Sequence, residues 1–343
     1  ELKWETVSKL NLGLDLSLFN ERFNASVDVY QNKTSDMITY EPVNTTSGFN
    51  YVVSNSGDMQ TQGIDLSLNT LLVNTSDVKF DLGLNLSRYV NEVTGLPSGP
   101  IISEFGGATY ITHEGQDANL FFGYETNGVY ATTADAQAAG LSRRMENGAL
   151  RAFSGGDVIF TDLNNDGIID DDDRVVIGNP NPDLFGSFSA NFKWKRLSIS
   201  SLFNFSLGND LYNGVRYNLE KMSGYENQTI AVNNRWVAEG QQTTIPRAVW
   251  GDPLGNASFS DRWIEDGSYL RLKTLVVAYD VSIDLEHIKS FKVYASANNL
   301  FTLTDYLGYD PEFSATSSIF GQGADLGLMP QFTTIQMGLR LGL

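Results

Sequence analysis

The chain has 343 residues, 41% of them hydrophobic, with 41 acidic against 23 basic side chains and a formal net charge of −18. That balance argues against a nucleic-acid partner, which is met with clustered Lys and Arg. It does not argue against a membrane, because carboxylates can sit in loops and in a water-filled lumen. The absence of cysteine excludes disulfides, cysteine–zinc sites and cysteine nucleophiles, and no run of about 18 apolar residues is present that could cross a bilayer as a helix.

From Lys9 to Phe19 the sequence reads KLNLGLDLSLF, with Leu10, Leu12, Leu14, Leu16 and Leu18 on every second position. A period of two places the leucines on one face of a β-strand and Asn11, Gly13, Asp15 and Ser17 on the other. The alternation recurs after a short turn at Asn20-Glu21, in Phe23, Ala25, Val27 and Val29. Lys33 to Gly57 reads as a polar loop. Ile64, Leu66 and Leu68 alternate again and, after a turn at Asn74-Thr75-Ser76, so do Val78, Phe80, Leu82, Leu84 and Leu86. A long irregular region from Arg88 to about Asp183 leads to Gly186–Trp194, a tight turn at Lys195-Arg196, and Leu197–Phe205. After a second long loop, Arg262 to Val281 reads as one strand. Its apolar set changes phase from Leu270 and Leu272 to Leu275 and Val277, which calls for a bulge near Thr274. A turn over Asp284–Ser290, the strand Phe291–Ala297, a loop over Thr302–Pro330 and the strand Ile335–Leu343 complete the chain.

This pattern predicts nine long strands whose connections alternate between very short and long. A soluble sandwich mixes loop lengths at both ends. Tight turns at one end and long loops at the other are the pattern of an outer-membrane barrel, with turns in the periplasm and loops outside. The fold class expected is therefore all-β, an antiparallel transmembrane β-barrel. The first strand then runs inward, and so does the ninth. Asn11, Asp15, Asn24, Asp28, Asp65, Asn69, Asn85, Asn191 and Lys193 are expected to face the lumen, and Trp4, Tyr30, Tyr89, Trp194 and Tyr279 to form aromatic girdles. A surface β-rich adhesin that binds glycan without moving it is the rival reading.

The sharpest local motif is DLNNDGIIDDDD, Asp162 to Asp173. Asp162, Asn164, Asp166, the carbonyl of Ile168, Asp170 and Asp173 fall at the spacing of an EF-hand-type loop, with Gly167 at the sharp turn. A hard cation wants such oxygens, so a structural Ca2+ is expected here. The alternative is an acidic turn held by its own Asx hydrogen bonds. His113 and His287 stand far apart and read as surface residues. No hydrolase, zinc-protease or P-loop motif is present, so no enzyme is expected. The loop aromatics Phe121, Phe122, Tyr124, Tyr130, Trp236, Trp250, Tyr306 and Tyr309 could stack on sugar rings or pack the loops together.

Several segments resemble the C-terminal part of SusC/RagA-type TonB-dependent transporters of the outer membrane. They are LKWETVSKLNLGLDLSLFNERFNASVDVYQNKTSDMI, NSGDMQTQGIDLSL, GDVIFTDLNNDGIIDDDDRVVIGNPNPDLFGSFS, RWIEDGSYLRLKTLVVAYDV, YASANNLFTLTDYLGYDPE and the terminal strand. The resemblance implies that residues 1–343 form the last nine strands of a barrel of about 22, with the N-terminal plug and earlier strands outside this chain. It implies a SusD-like lipoprotein as lid, energy from TonB through the missing N-terminal part, contact with outer-membrane lipid, and oligosaccharide or peptide as cargo. QMGLRLGL resembles the family's outer-membrane assembly signal, with Leu341 and Leu343 where aromatics are usual.

Overall fold

The computed structural model describes residues 2–49, 51–145, 147–283, 288–313 and 321–342. His287, the centre of the turn before Ser290, and Leu343 lie outside the described residues. Nine strands form one antiparallel sheet in chain order. They are β1 (Thr6–Leu18), β2 (Phe23–Pro42), β3 (Tyr51–Asn74), β4 (Val78–Gly95), β5 (Leu184–Trp194), β6 (Leu197–Leu207), β7 (Tyr269–Val281), β8 (Ser290–Thr304) and β9 (Thr334–Gly342). Every neighbour in space is the neighbour in sequence. Among the described residues, β1 and β9 are the two edges of this sheet.

The register turns the alternation of single strands into two faces. One row across eight strands reads Leu16, Ala25, Leu68, Leu84, Phe188, Phe203, Leu272 and Phe301. The row one residue away reads Asp15, Ser26, Ser67, Asn85, Ser187, Asn204, Arg271 and Thr302. Phe188 and Phe203 stack across the strands at 4.4 Å between ring centroids. The apolar face is uncovered by protein: Leu12 is 76% exposed and Met337 84%. A continuous apolar surface of this extent needs a non-aqueous neighbour. On the polar face short bonds cross between strands, as from Ser17 Oγ to Asn24 Oδ1 (2.8 Å) and from Asn191 Nδ2 to Asp81 Oδ2 (2.8 Å). The nine residues expected to face a lumen all lie on this face.

Three expectations need correction. Lys33 to Gly57 is not a loop: β2 and β3 run on through it, leaving only 43–50 between them. The apolar alternation stops there, but the ladder continues through pairs such as Thr39 with Ser54 and Glu41 with Val52. A second layer of hydroxyl contacts, such as Thr39 Oγ1 to Ser56 Oγ at 2.7 Å, replaces the greasy face. Arg262 to Val281 is not one strand either. A 3₁₀ turn at Asp261–Trp263 and a short strand Ile264–Asp266 precede β7. Within β7 the register shifts at Lys273, which places the bulge near Thr274 as the phase change requires. Finally, Tyr30 and Tyr89 share a row with Asn11 and Gly63 on the polar face, so they are not girdle residues. The Tyr30 ring lies over Gly63, where any Cβ would collide with it. Trp194 and Tyr279 do share the outward row at the turn end, on either side of Leu197.

Apart from Val93, Leu272 and Ala278 in the wall strands, the buried apolar residues sit in the long connections. One cluster gathers Tyr124, Tyr130, Phe153, Val158, Phe160 and Ile169 from 96–183 with Leu254 from 208–268. The other gathers Tyr110 and Phe121 with Tyr212, Trp263 and Ala324. The connections thus form a folded cap with its own cores on one end of the wall.

Charging the apolar face should block assembly. Leu14→Arg in the full-length protein is expected to cost about 2–4 kcal/mol near the bilayer midplane. Heat-modifiable migration of the outer-membrane fraction checks this, and a normal barrel yield would overturn the assignment of that face to lipid.

Candidate functional site

The Asp162–Asp173 loop turns through left-handed backbone at Asn165 (φ 60) and Gly167 (φ 81). Its side chains bind its own backbone. Asp162 accepts from the N–H groups of Asn165 (2.8 Å) and Gly167 (2.9 Å), Asn164 from Asp166 (2.9 Å), and Asp166 from Ile168 (2.7 Å). Asp173 is fully buried and accepts from Leu163 and Asp170, each at 2.9 Å. Asp170 receives Arg144 Nε at 2.8 Å, and that hydrogen bond holds its carboxyl below the usual range. Among the described residues no three His, Cys, Asp or Glu side chains converge as a metal ion requires. Asp173 thus braces the loop from within, while Asp170 is paired with Arg144 outside it.

The loop aromatics divide. Phe121, Tyr124, Tyr130 and Tyr306 are buried, and Phe122 and Trp236 partly so. Only Trp250 and Tyr309 are exposed; Trp250 stacks on Tyr225, with centroids 6.1 Å apart. His113 lies partly exposed, its Nδ1 2.9 Å from the Glu114 carbonyl.

A buried charged group joins the wall to the last long connection. Arg271 and Lys273 both present their side chains to the segment after β8, helped by the bulge at Lys273. Arg271, 3% exposed, pairs with Asp310 and, at 3.0 Å, with Glu312, and its Nε donates to Thr302 Oγ1 (2.9 Å). Lys273 Nζ reaches Glu312 Oε1 at 3.1 Å and Gln331 Oε1 at 2.6 Å. Asp310 also accepts from the N–H groups of Glu312 (2.9 Å) and Gln331 (2.8 Å). Burial alone would push the Asp310 carboxyl up; the Arg271 hydrogen bond and these two N–H groups outweigh it and hold the carboxyl below its usual range. Since Arg271 belongs to the polar row, this cluster pins residues 310–312 to the polar face. Sequence reasoning had not singled these residues out. The bulge and the paired R-x-K and D-P-E stretches were the available signal.

A second clamp joins two connections. Asp157, fully buried, receives Arg247 Nε at 2.8 Å and Nη2 at 2.9 Å, and Asn256 Nδ2 at 3.0 Å. The bidentate geometry fixes the cap's two halves in register.

Residues 1–300 match the family described as TonB dependent receptor-like, beta-barrel. TonB-dependent receptor P3 of Formosa agariphila is 31% identical over 99% of this chain, which covers 34% of that protein. TonB-dependent receptor SusC of Bacteroides thetaiotaomicron is 26% identical over 99% of the chain and 32% of its own length. Among solved structures, the RagAB peptide transporter superposes with a TM-score of 0.79 at 26% identity, over 98% of this chain and 35% of that one. The chain thus spans about a third of the length of the relatives it matches.

Removing one partner of the Arg271–Asp310 pair leaves the other buried and uncompensated, so Arg271→Ala should cost about 3–5 kcal/mol. Asp310 contributes fully above its unfolded pKa of about 3.9, and the contribution is lost as pH falls through its lower folded value. Limited proteolysis of the full-length protein should therefore cut 305–333 faster in Arg271→Ala at pH 7, and in the wild type only at strongly acid pH. Equal cutting of both proteins at pH 7 would refute the latch.

Proposed function

The chain belongs to the TonB-dependent receptor-like β-barrel family, a family of outer-membrane receptors and not of enzymes, and from that membership we propose that it forms the C-terminal wall and mouth of a nutrient importer. The observation that carries this reading is the nine-strand meander, whose paired rows are apolar on one face and polar on the other. Such a sheet is viable in hydrocarbon only when its edges are paired. The rest of a barrel of about 22 strands, supplied by the portion outside this chain, would pair them. Cargo, oligosaccharide or peptide, is caught between the cap and a SusD-like lipoprotein. It then passes along the polar face into the periplasm, with energy from TonB acting through that other portion. Both SusC and the RagAB transporter support this reading by their similarity over nearly all of the chain.

For the Asp162–Asp173 loop we propose a structural Ca2+. Support comes from the spacing of Asp162, Asn164, Asp166, Ile168, Asp170 and Asp173 and the left-handed Gly167. Asp173 keeps lone pairs for a cation beside its two N–H bonds, whereas Asp170 would share its carboxylate with Arg144.

Two measurements test these readings. Deleting the full-length gene should abolish uptake of its cargo, and pull-down of the protein should recover a surface lipoprotein. Uptake that persists undiminished would sink the importer. Calcium should slow proteolysis within 162–173 relative to chelator, and Asp166→Ala should erase the difference. Equal rates with and without calcium would leave the loop as a self-braced turn.

A further inference from the structure

A cavity of about 280 Å³ opens between the helix Gly214–Glu220 and the segment 307–309. Tyr309 directly precedes Asp310, whose pairing with Arg271 holds this segment against the polar face of the wall. The cavity therefore adjoins a segment fixed to the polar face, the face along which cargo would travel. Val215 and Leu219 line it from the helix, and Leu307 and Tyr309 from the opposite side. Leu307 is 73% exposed and Tyr309 78%.

The charged groups around the cavity are engaged with one another. Arg216 Nε stands 2.7 Å from Glu265 Oε1, and Asn213 Nδ2 3.2 Å from the same atom. The Leu307 N–H donates to Glu265 Oε2 at 3.0 Å. Glu220 accepts from the Thr229 hydroxyl at 3.0 Å, and Asp325 accepts from Tyr306 Oη at 2.7 Å. Asn213 also caps the helix, accepting from the Arg216 N–H at 2.9 Å. The network makes a fixed frame, and what it leaves open is chiefly aliphatic.

Size and chemistry both select the occupant. Whole small ligands take sites of about 300–1,000 Å³, so this cavity suits one residue-sized group of a longer chain. A sugar ring carries hydroxyls around its edge, each needing a partner to replace water, and here the polar side chains are already engaged. An aliphatic or aromatic side chain needs no such partner. We propose that the cavity between the helix Gly214–Glu220 and residues 307–309 is an anchor subsite for one apolar side chain of a peptide cargo. This rests on the importer reading and names its substrate class; extended peptides gain specificity from side-chain pockets of this kind.

The test uses the full-length protein, purified in detergent, and calorimetric binding of three probes: a hexapeptide pool containing Leu and Phe, a pool of Gly, Ser and Thr only, and maltoheptaose. The apolar pool should bind at least tenfold more tightly than the other two. Leu307→Asp and Tyr309→Ala, both at exposed positions, should weaken it at least tenfold. Tyr225→Ala, an exposed aromatic that does not line the cavity, should leave it unchanged. Unaltered apolar-pool binding in both cavity variants would overturn the subsite while leaving the importer standing. Maltoheptaose binding lost in Tyr309→Ala would overturn the peptide assignment. Failure of cells carrying the wild-type protein to take up either peptides or glycans would count against the importer itself.

Discussion

Everything in this chain follows from one requirement: a backbone in hydrocarbon must find all its hydrogen-bond partners within protein. Each strand from β2 to β8 is bonded on both sides by its neighbours in the meander, without a crossover, and β1 and β9 are each bonded on one. The strict meander lets two faces persist across the sheet, because each register step carries apolar residues opposite apolar ones. A single slip would put Asp15 and Arg271 into the row now held by Leu16 and Leu272. The bulge at Lys273 shows how the wall tolerates an extra residue: it adds a second cation on the polar side without moving Leu272 from the outward row.

With lipid as its neighbour, the wall needs little core of its own. The packing normally found between sheets is found in the connections, where Trp263, Tyr110 and Phe121 are buried almost completely. That arrangement separates two tasks. The wall supplies a barrier, and the cap supplies a shaped surface stiffened by its own aromatic clusters. Two polar clamps join these parts, Asp157–Arg247 between connections and Arg271–Asp310 between cap and wall. Both are bonded on several sides, as buried charge demands.

The wall was legible because alternation is a physical consequence of a face against lipid. Leu10 to Leu18 announced β1, and the phase change after Leu272 announced the bulge. Where the strands leave the lipid the signal vanished: Thr39, Ser54 and Ser56 lie in ladder as regular as Leu66, yet no apolar period marks them. The stretch before Tyr269 misled for the opposite reason, since its apolar residues serve the cap core around Trp263. Loop aromatics could not be sorted without burial, and only Trp250 and Tyr309 of those eight turned out to be exposed. Arg271 and Asp310 are 39 residues apart, and no local rule links a cation on one strand to an acid beyond the next. The calcium-type spacing at Asp162 was legible as a motif, but not the pairing of Arg144 with Asp170.

The unequal length of the strands has a geometric result. At about 3.3 Å per residue, the 24 residues of β3 extend nearly three times as far as the nine of β9. A bilayer takes up only about 9–11 residues of a tilted strand. The rim of this arc is therefore uneven, highest at β2 and β3, with 20 and 24 residues, and lower at β5 and β6, with 11 each. The excess length of β2 and β3 therefore runs as paired ladder beyond the hydrocarbon, and there hydroxyl pairs such as Thr39 with Ser54 take the place of leucine.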